Sequence, residues 1–310
     1  MRIAVSVGDL NGIGIELVLR NHTEICRHCH PHYMIDRSML EQAASLLRLP
    51  IPEDFETTET GEDFTIEPGA ISPQSGAYAY ASFRKAVALA ESKEAVAVTT
   101  LPIHKKAWEL ADVPYKGHTD ALADIFGREA IMMIGCDRLF TALYTHHIPL
   151  REVPAQIDIH RLSRFLITLY EEIKEEKIAV LGLNPHAGDN GLLGDEERKI
   201  EAAIEIANDT LLEEIFVGPL VPDTAFTPHM RERFRYYVCM YHDQGLIAAK
   251  ALYFDKGINV SLNLPIIRTS VDHGTAFDKA YKNAPLSPLS YRNAIEEAVR
   301  LATKKRRFAI

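Results

Sequence analysis

The chain has 310 residues, of which 47% are hydrophobic, and a formal charge of −9. That length exceeds one ordinary core, so two domains are expected, and the acidic balance without a basic stripe excludes a nucleic-acid surface and leaves any anion site dependent on local cations. No run approaches the about 18 apolar residues of a membrane span, and the chain opens on a strand-like run from Arg2 to Val7 instead of a signal peptide, so a cytoplasmic protein that neither crosses nor binds a membrane is expected.

In chain order, strand-like runs at Ile3–Val7, His32–Ile35, Ala95–Thr99, Ile131–Ile134, Phe140–Tyr144, Ile178–Leu183 and Tyr237–Met240 alternate with helical stretches. The helices are expected at Gly14–Asn21, Met39–Leu47, Ser75–Ser92, Ile159–Glu175, Asp195–Asn208 and Pro288–Thr303. This alternation predicts an α/β class with a mainly parallel sheet covered on both faces. Pro/Gly-rich joints fall near 67–75, 112–118 and 263–267, and no repeat or low-complexity tract is present. Cys26, Cys29, Cys136 and Cys239 read as free thiols of a reducing compartment. Cys26-Arg27-His28-Cys29-His30 has the look of half a zinc knuckle, but Cys136 and Cys239 stand alone and supply no second pair.

The most informative stretch is Tyr241-His242-Asp243-Gln244-Gly245, followed by Lys250, Asn259 and Arg268. A histidine, a carboxylate, an amide and two cations threaded through apolar runs predict a pocket that holds a metal beside an anion. Two more histidine motifs, Thr145-His146-His147-Ile148-Pro149-Leu150 and Leu183-Asn184-Pro185-His186-Ala187-Gly188, follow strand-like runs, and strand ends are where α/β sheets place ligands. Three neutral imidazoles can occupy three positions of a divalent ion and leave the rest open, and they favour zinc, cobalt, nickel or iron over magnesium. The alternative for each histidine alone is a packed or solvated side chain. Gly8, Gly12 and Gly14 after the first strand, with Asp36 closing the next, invite a dinucleotide-binding reading; the spacing is G-x-x-x-G-x-G, however, not G-x-G-x-x-G, which favours a glycine-lined turn.

Seven ordered segments, Gly8 to Gly14, Thr99 to Lys105, Gly117-His118-Thr119, Thr145 to Arg151, Leu183 to Gly188, Met240 to Gly245 and Ile267 to Ala276, resemble the 4-hydroxythreonine-4-phosphate dehydrogenase family of vitamin B6 biosynthesis over nearly the whole chain. The resemblance implies two α/β/α domains with a cleft between them, isocitrate/isopropylmalate dehydrogenase-like. One domain would span 1–120 plus 268–310, and the other, 121–267, would carry most metal and phosphate ligands and the dimer interface. It further implies a homodimer whose active site is shared between subunits, a metal bound by His147, His186 and His242, and substrate held by His118, Thr119, Lys250, Asn259 and Arg268. His147 is preferred to His146 because the family's histidine stands two residues before the proline. Lys250, flanked by Ile247, Ala248, Ala249, Ala251 and Leu252, is expected to be poorly solvated.

The implied reaction is oxidation of a secondary alcohol with hydride passing to NAD or NADP, then decarboxylation, with one divalent zinc, cobalt or magnesium ion serving both steps. The resemblance puts the nicotinamide cofactor near Asp272, Gly274 and Thr275. His118, Asp243 and Asp223 are the candidates for positioning and proton relay, although Asp243 reads equally as a helix N-cap and Lys105 as a surface lysine. The chain departs from the family at Ala280-Tyr281-Lys282-Asn283, where a loop with two glycines is usual. Two rival readings stay open: a paralogous metal-dependent dehydrogenase for another hydroxy acid, and a non-catalytic protein that binds a metal and a phosphorylated ligand.

Overall fold

The computed structural model describes residues 1–308. In chain order the elements begin β1 (Arg2–Ser6), α1 (Gly14–Ile25), β2 (His30–Met34), α2 (Arg37–Leu47), β3 (Glu56–Thr58), α3 (Pro73–Glu91), β4 (Ala97–Thr100), α4 (Lys105–Leu110) and α5 (His118–Phe126). They continue with β5 (Ile131–Cys136), β6 (Leu139–Leu143), α6 (Val153–Gln156), α7 (Ile159–Ile173), β7 (Ile178–Leu181), α8 (Glu196–Leu211), β8 (Phe216–Leu220), α9 (Pro228–Arg233), β9 (Tyr236–Cys239) and α10 (His242–Tyr253). The last are β10 (Ile258–Leu262), β11 (Arg268–Val271) and α11 (Leu289–Phe308). The chain divides into two compact units, Met1–Ala130 with the chain from Ile258 onward, and Ile131–Gly257.

In the first unit the strand order is β3-β2-β1-β4-β11-β10, parallel except for the antiparallel β10–β11 pair. β1 is buried from Ile3 to Ser6, as a central parallel strand covered on both faces must be. α3 starts where Ser72 accepts a hydrogen bond from the Ser75 amide (3.1 Å) and Pro73 occupies the first turn. A Cβ on Gly76 would lie 2.0 Å from the Ala107 carbonyl oxygen, so glycine lets α4 lie against α3. This packing builds a core around Phe83, Trp108, Ala121 and Leu122.

In the second unit the order is β5-β6-β9-β7-β8, antiparallel only at β5–β6. α7 begins at Asp158, whose side chain accepts from the Arg161 amide (2.8 Å), buries Leu162, Leu166, Leu169 and Ile173, and stops at Lys174 in the left-handed region (φ 47°). The core of this unit gathers Leu139, Leu143, Leu181, Phe234 and Tyr237. Among the described residues, no helix is long and apolar enough to cross a membrane.

The expected division at 120/121 and 267/268 moves by ten residues at each joint. α5 extends to Phe126 and packs Ala121 and Leu122 into the first core, while β10 is hydrogen-bonded to β11, so both stay with the first unit. Asn259 moves with β10, and the second unit therefore does not carry all the expected phosphate ligands. β3, β8, β10 and β11 are strands that the hydrophobic pattern does not announce. β11 reads Arg-Thr-Ser-Val yet is buried throughout, which inverts the usual signal. Asp243 is not a helix cap: Tyr241 precedes α10 and no side chain caps it.

Candidate active site

In the second unit the histidine loops leave the ends of neighbouring parallel strands. Thr145 ties the chain after β6 to the end of β9, its hydroxyl donating to the Met240 carbonyl (2.6 Å), and two residues on His147 turns into the left-handed region (φ 51°) and is exposed. His242 opens α10, and its ring centroid lies 5.6 Å from that of His147. The two share a cavity of about 260 Å³ lined by Thr145, Ile148, Leu150 and Tyr241. Nδ1 of His242 stands 2.7 Å from Oδ1 of Asp243; a carboxylate there fixes the tautomer that leaves Nε2 free as a ligand atom, the arrangement typical of metal-bound imidazole.

His186 follows β7 in a run from His186 to Asn190 in which every φ is positive (52°, 51°, 80°, 43° and 57°). Such backbone costs free energy at each residue without a glycine and persists only where neighbours enforce it. Glu197 of α8 is the enforcer: its carboxylate accepts from the amides of Leu183 (2.8 Å) and Asn184 (2.7 Å) and from Asn184 Nδ2 (2.9 Å). A Cβ on Gly188 would meet that carboxylate at 2.7 Å. Gln244 connects the two loops, accepting from the Met240 amide (2.7 Å) and donating to the Gly182 carbonyl (2.7 Å). Among the described residues, His147, His186 and His242 do not form a group whose ligand atoms all lie within 4.8 Å of one another. The donor set fits a divalent ion in chemistry, and the single chain draws two of the three rings together.

The first unit places a different chemistry at strand ends. Register pairs Ser6 with Thr100, Thr100 with Ser270 and Ser270 with Asn259, so β1, β4, β11 and β10 present one lateral row of polar side chains. Arg268 lies two residues along β11 on the same face, only 3% exposed, and donates to Ser261 Oγ (3.1 Å) and Thr100 Oγ1 (2.7 Å). Its Nε, Ser6 Oγ and Asn259 Oδ1 are buried without a hydrogen-bond partner. Among the described residues no carboxylate pairs with Arg268, and burial brings its guanidinium down to about 9. A buried cation with two hydroxyl partners and no counter-charge is costly, and an anion would offset that cost. His118 starts α5 between Phe83 (centroids 4.8 Å) and Trp108 (5.3 Å), with Nε2 buried and unpartnered. Burial, then the charge of Arg268, pushes it well below the usual histidine range, so it remains neutral.

The glycine turn serves protein contacts. A Cβ on Gly8 (φ 72°) would meet the Pro102 oxygen at 2.2 Å, and one on Gly12 the Thr275 oxygen at 2.9 Å. Asp36 is spent on the Thr60 and Gly61 amides and the Tyr78 hydroxyl, so it offers nothing to a ribose. Thr275 is buried and its carbonyl accepts from the Ile13 amide (3.0 Å), whereas Gly274 faces open space. Tyr281 and Asn283, where the resemblance leads glycines to be expected, have positive φ (58° and 51°). Tyr281 donates to the Leu10 carbonyl (2.7 Å), and Asn283 accepts from Arg20 (2.9 Å).

Thr119 is half-buried and Asp272 half-buried, while Lys250, Lys105 and Asp223 are exposed. The expectation of a poorly solvated Lys250 is corrected by its helix: Ile247 is 70% exposed and Leu252 40%, so apolar neighbours in sequence do not bury it. Thr100, Ser261, Ser270 and Gln244 are the participants that sequence reasoning passed over; small hydroxyl residues in a strand carry no signal of their own, whereas Gln244 stood inside the quoted motif.

The family described as pyridoxal phosphate biosynthetic protein PdxA matches residues 27–298. A 4-hydroxythreonine-4-phosphate dehydrogenase of Sulfurimonas denitrificans is 54% identical over 304 residues, covering 98% of this chain and 99% of that one. One from Campylobacter fetus is 52% identical over 301 residues, covering 97% and 98%. The crystal structure of 4-hydroxythreonine-4-phosphate dehydrogenase from Klebsiella pneumoniae superposes with a TM-score of 0.83 at 31% identity, covering 97% of this chain and 99% of that one. Sequence and fold agree, and this chain belongs to the PdxA family of pyridoxal phosphate biosynthetic proteins.

Proposed function

We propose that the chain catalyses the NAD(P)-dependent oxidation of 4-phosphooxy-L-threonine to 2-amino-3-oxo-4-phosphooxybutanoate, which loses carbon dioxide to give 3-amino-2-oxopropyl phosphate for pyridoxine 5'-phosphate synthesis. The observation that carries this reading is Arg268, a buried guanidinium with hydroxyl neighbours and no carboxylate among the described residues, beside the unpartnered Asn259 Oδ1. A phosphorylated amino acid offers both what the guanidinium lacks, an anion, and what Asn259 lacks, an N–H or O–H donor. His118, neutral in its aromatic cage, and Thr119 would orient the substrate at the start of α5, with Lys250 as a further cation.

A divalent ion, zinc, cobalt or magnesium, held by His147, His186 and His242 would supply a Lewis acid for the alcohol oxygen and for the charge left by decarboxylation. A bound nicotinamide would supply the hydride acceptor for the secondary alcohol, whose proton would pass to a base, and the new carbonyl would take up the electron pair released when the carboxylate leaves as carbon dioxide. Asp243 holds the His242 tautomer, and Asp223 is a candidate proton relay from solvent. Asp272, Gly274 and Thr275 are the residues we assign to the nicotinamide nucleotide, with Gly274 as the point of open backbone approach. The positive φ at Tyr281 and Asn283 favours a dehydrogenase over a non-catalytic binder, because the backbone shape that glycines would adopt is retained. Two features support a homodimer with a shared site: the three histidines do not all converge within one chain, His147 and His186 being exposed, and Leu150, Ile247 and Phe254 leave apolar surface on the same unit. We place the activity in the cytoplasm.

The test is nicotinamide reduction with 4-phosphooxy-L-threonine, using protein stripped of metal and then restored with zinc, cobalt or magnesium. Metal-dependent turnover is expected. Failure of both NAD and NADP to bind would rule out the dehydrogenase.

A further inference from the structure

Away from those residues, the end of α1 carries three metal-ligand atoms facing one another. His22 and Cys26 stand one helical turn apart, with the Cys26 amide donating to the His22 carbonyl (2.9 Å), and Asp54 approaches from the segment before β3. Nε2 of His22 lies 3.4 Å from Cys26 Sγ and 3.0 Å from Asp54 Oδ1, and all three ligand atoms fall within 4.8 Å of one another. No other such group occurs among the described residues.

The geometry points to a second divalent-metal site, formed by His22 Nε2, Cys26 Sγ and Asp54 Oδ1, that takes a thiophilic ion of the zinc class. With Zn–N about 2.0–2.1 Å and Zn–S about 2.3 Å, a tetrahedral site separates nitrogen from sulfur by about 3.5 Å, close to the separation found. The imidazole is already placed for the task. His22 is 1% exposed, its ring is held by Tyr33 (centroids 5.6 Å) and Phe55 (5.0 Å), and Nδ1 lies 2.9 Å from the Tyr33 hydroxyl. Without an ion, Nε2–H donates to Asp54 Oδ1 (3.0 Å) beside the Cys26 sulfur; a bound cation would take the place of that proton, which the ring then carries on Nδ1, facing the Tyr33 hydroxyl. Binding releases the thiol proton and leaves a fourth position for water. The ion would fasten the segment around Asp54 to the end of α1. Cys29 is buried outside the group, and His28 instead faces Glu24 and Glu296, so the ligands are not those of a half knuckle.

Cobalt titration of metal-stripped protein tests the site, because only a cysteine ligand produces a thiolate-to-cobalt charge-transfer band, and the three-histidine set contains no cysteine. The band is expected in the unmodified chain, in His242→Ala and in Cys29→Ser, and is lost in Cys26→Ser. Asp54 is largely exposed, so Asp54→Asn leaves the fold intact and is expected to weaken cobalt binding at the band by about tenfold or more. No band, a band that survives Cys26→Ser, or one that disappears with Cys29 instead overturns the assignment. Retention in His242→Ala separates this result from the fate of the proposed dehydrogenase.

Discussion

Arg268 is 3% exposed and meets only hydroxyls, whereas His147 and His186 stand in solvent on left-handed turns. The first unit buries its charged group without a counter-charge, so under the proposed function an arriving anion would offset that cost. The second unit has spent its free energy on backbone: Glu197 and Gln244 hold two loops in shape while the ligand nitrogens remain accessible. On the proposed function, a buried guanidinium would select by desolvation, and accessible imidazoles by the ion they gather.

The largest effect that would sharpen this contrast is expected in the second unit. His242→Ala should lower turnover on the order of 10³-fold, about 4 kcal/mol, and reduce bound metal by one ion per chain by elemental analysis. Full turnover after chelation would break the comparison on that side. In the first unit, Arg268→Met should raise the substrate KM by about 2–4 kcal/mol of lost charged hydrogen bonding. The same variant should melt no lower than the parent without substrate, because an unpaired buried charge has been removed. A variant that binds substrate normally would take Arg268 out of the site.

Asp9 extends the contrast to pH. Burial, opposed by hydrogen bonds from the Asn11 amide and the Ser75 hydroxyl, raises its carboxyl to about 6. Between about pH 4 and 6 the unfolded chain gives up this proton while the folded chain keeps it, so stability falls as pH rises through that window. Asp9→Asn should flatten the fall, by on the order of 3 kcal/mol above pH 6, as measured by denaturant titration at several pH values. Equal slopes in parent and variant would show that the carboxyl is not held neutral. The smallest effect is expected at Gln244→Leu, which leaves the Met240 amide and Gly182 carbonyl unpaired. Metal affinity should drop by about tenfold and the melting point by a few degrees, and unchanged affinity would mean that the loops hold themselves.

Much of the fold is legible in the chain because buried parallel strands are runs of apolar residues: β1, β4, β5, β6, β7 and β9 lie within a few residues of where the pattern puts them. β10 and β11 escape that reading, since Asn259, Ser261, Arg268 and Ser270 stand where apolar residues would announce a strand. The site shows the same split. His147, His186, His242 and Arg268 are visible as motif residues, but Lys250 was misjudged because apolar neighbours along a helix do not share its face.

Local order was thus determined by the sequence alone: the alternation of strands and helices, the glycine turn whose spacing rejects a dinucleotide fingerprint, and the identity of the histidine loops. Tertiary structure decided which side chains share a surface. Strand register aligned Ser6, Thr100, Ser270 and Asn259, residues separated by as much as 264 positions, beside a single buried arginine, and chain reversal carried Asp54 to His22 and Cys26. Periodicity reports how a residue sits relative to its own element, whereas polar groups that answer one another across elements depend on register and packing, which no local pattern encodes.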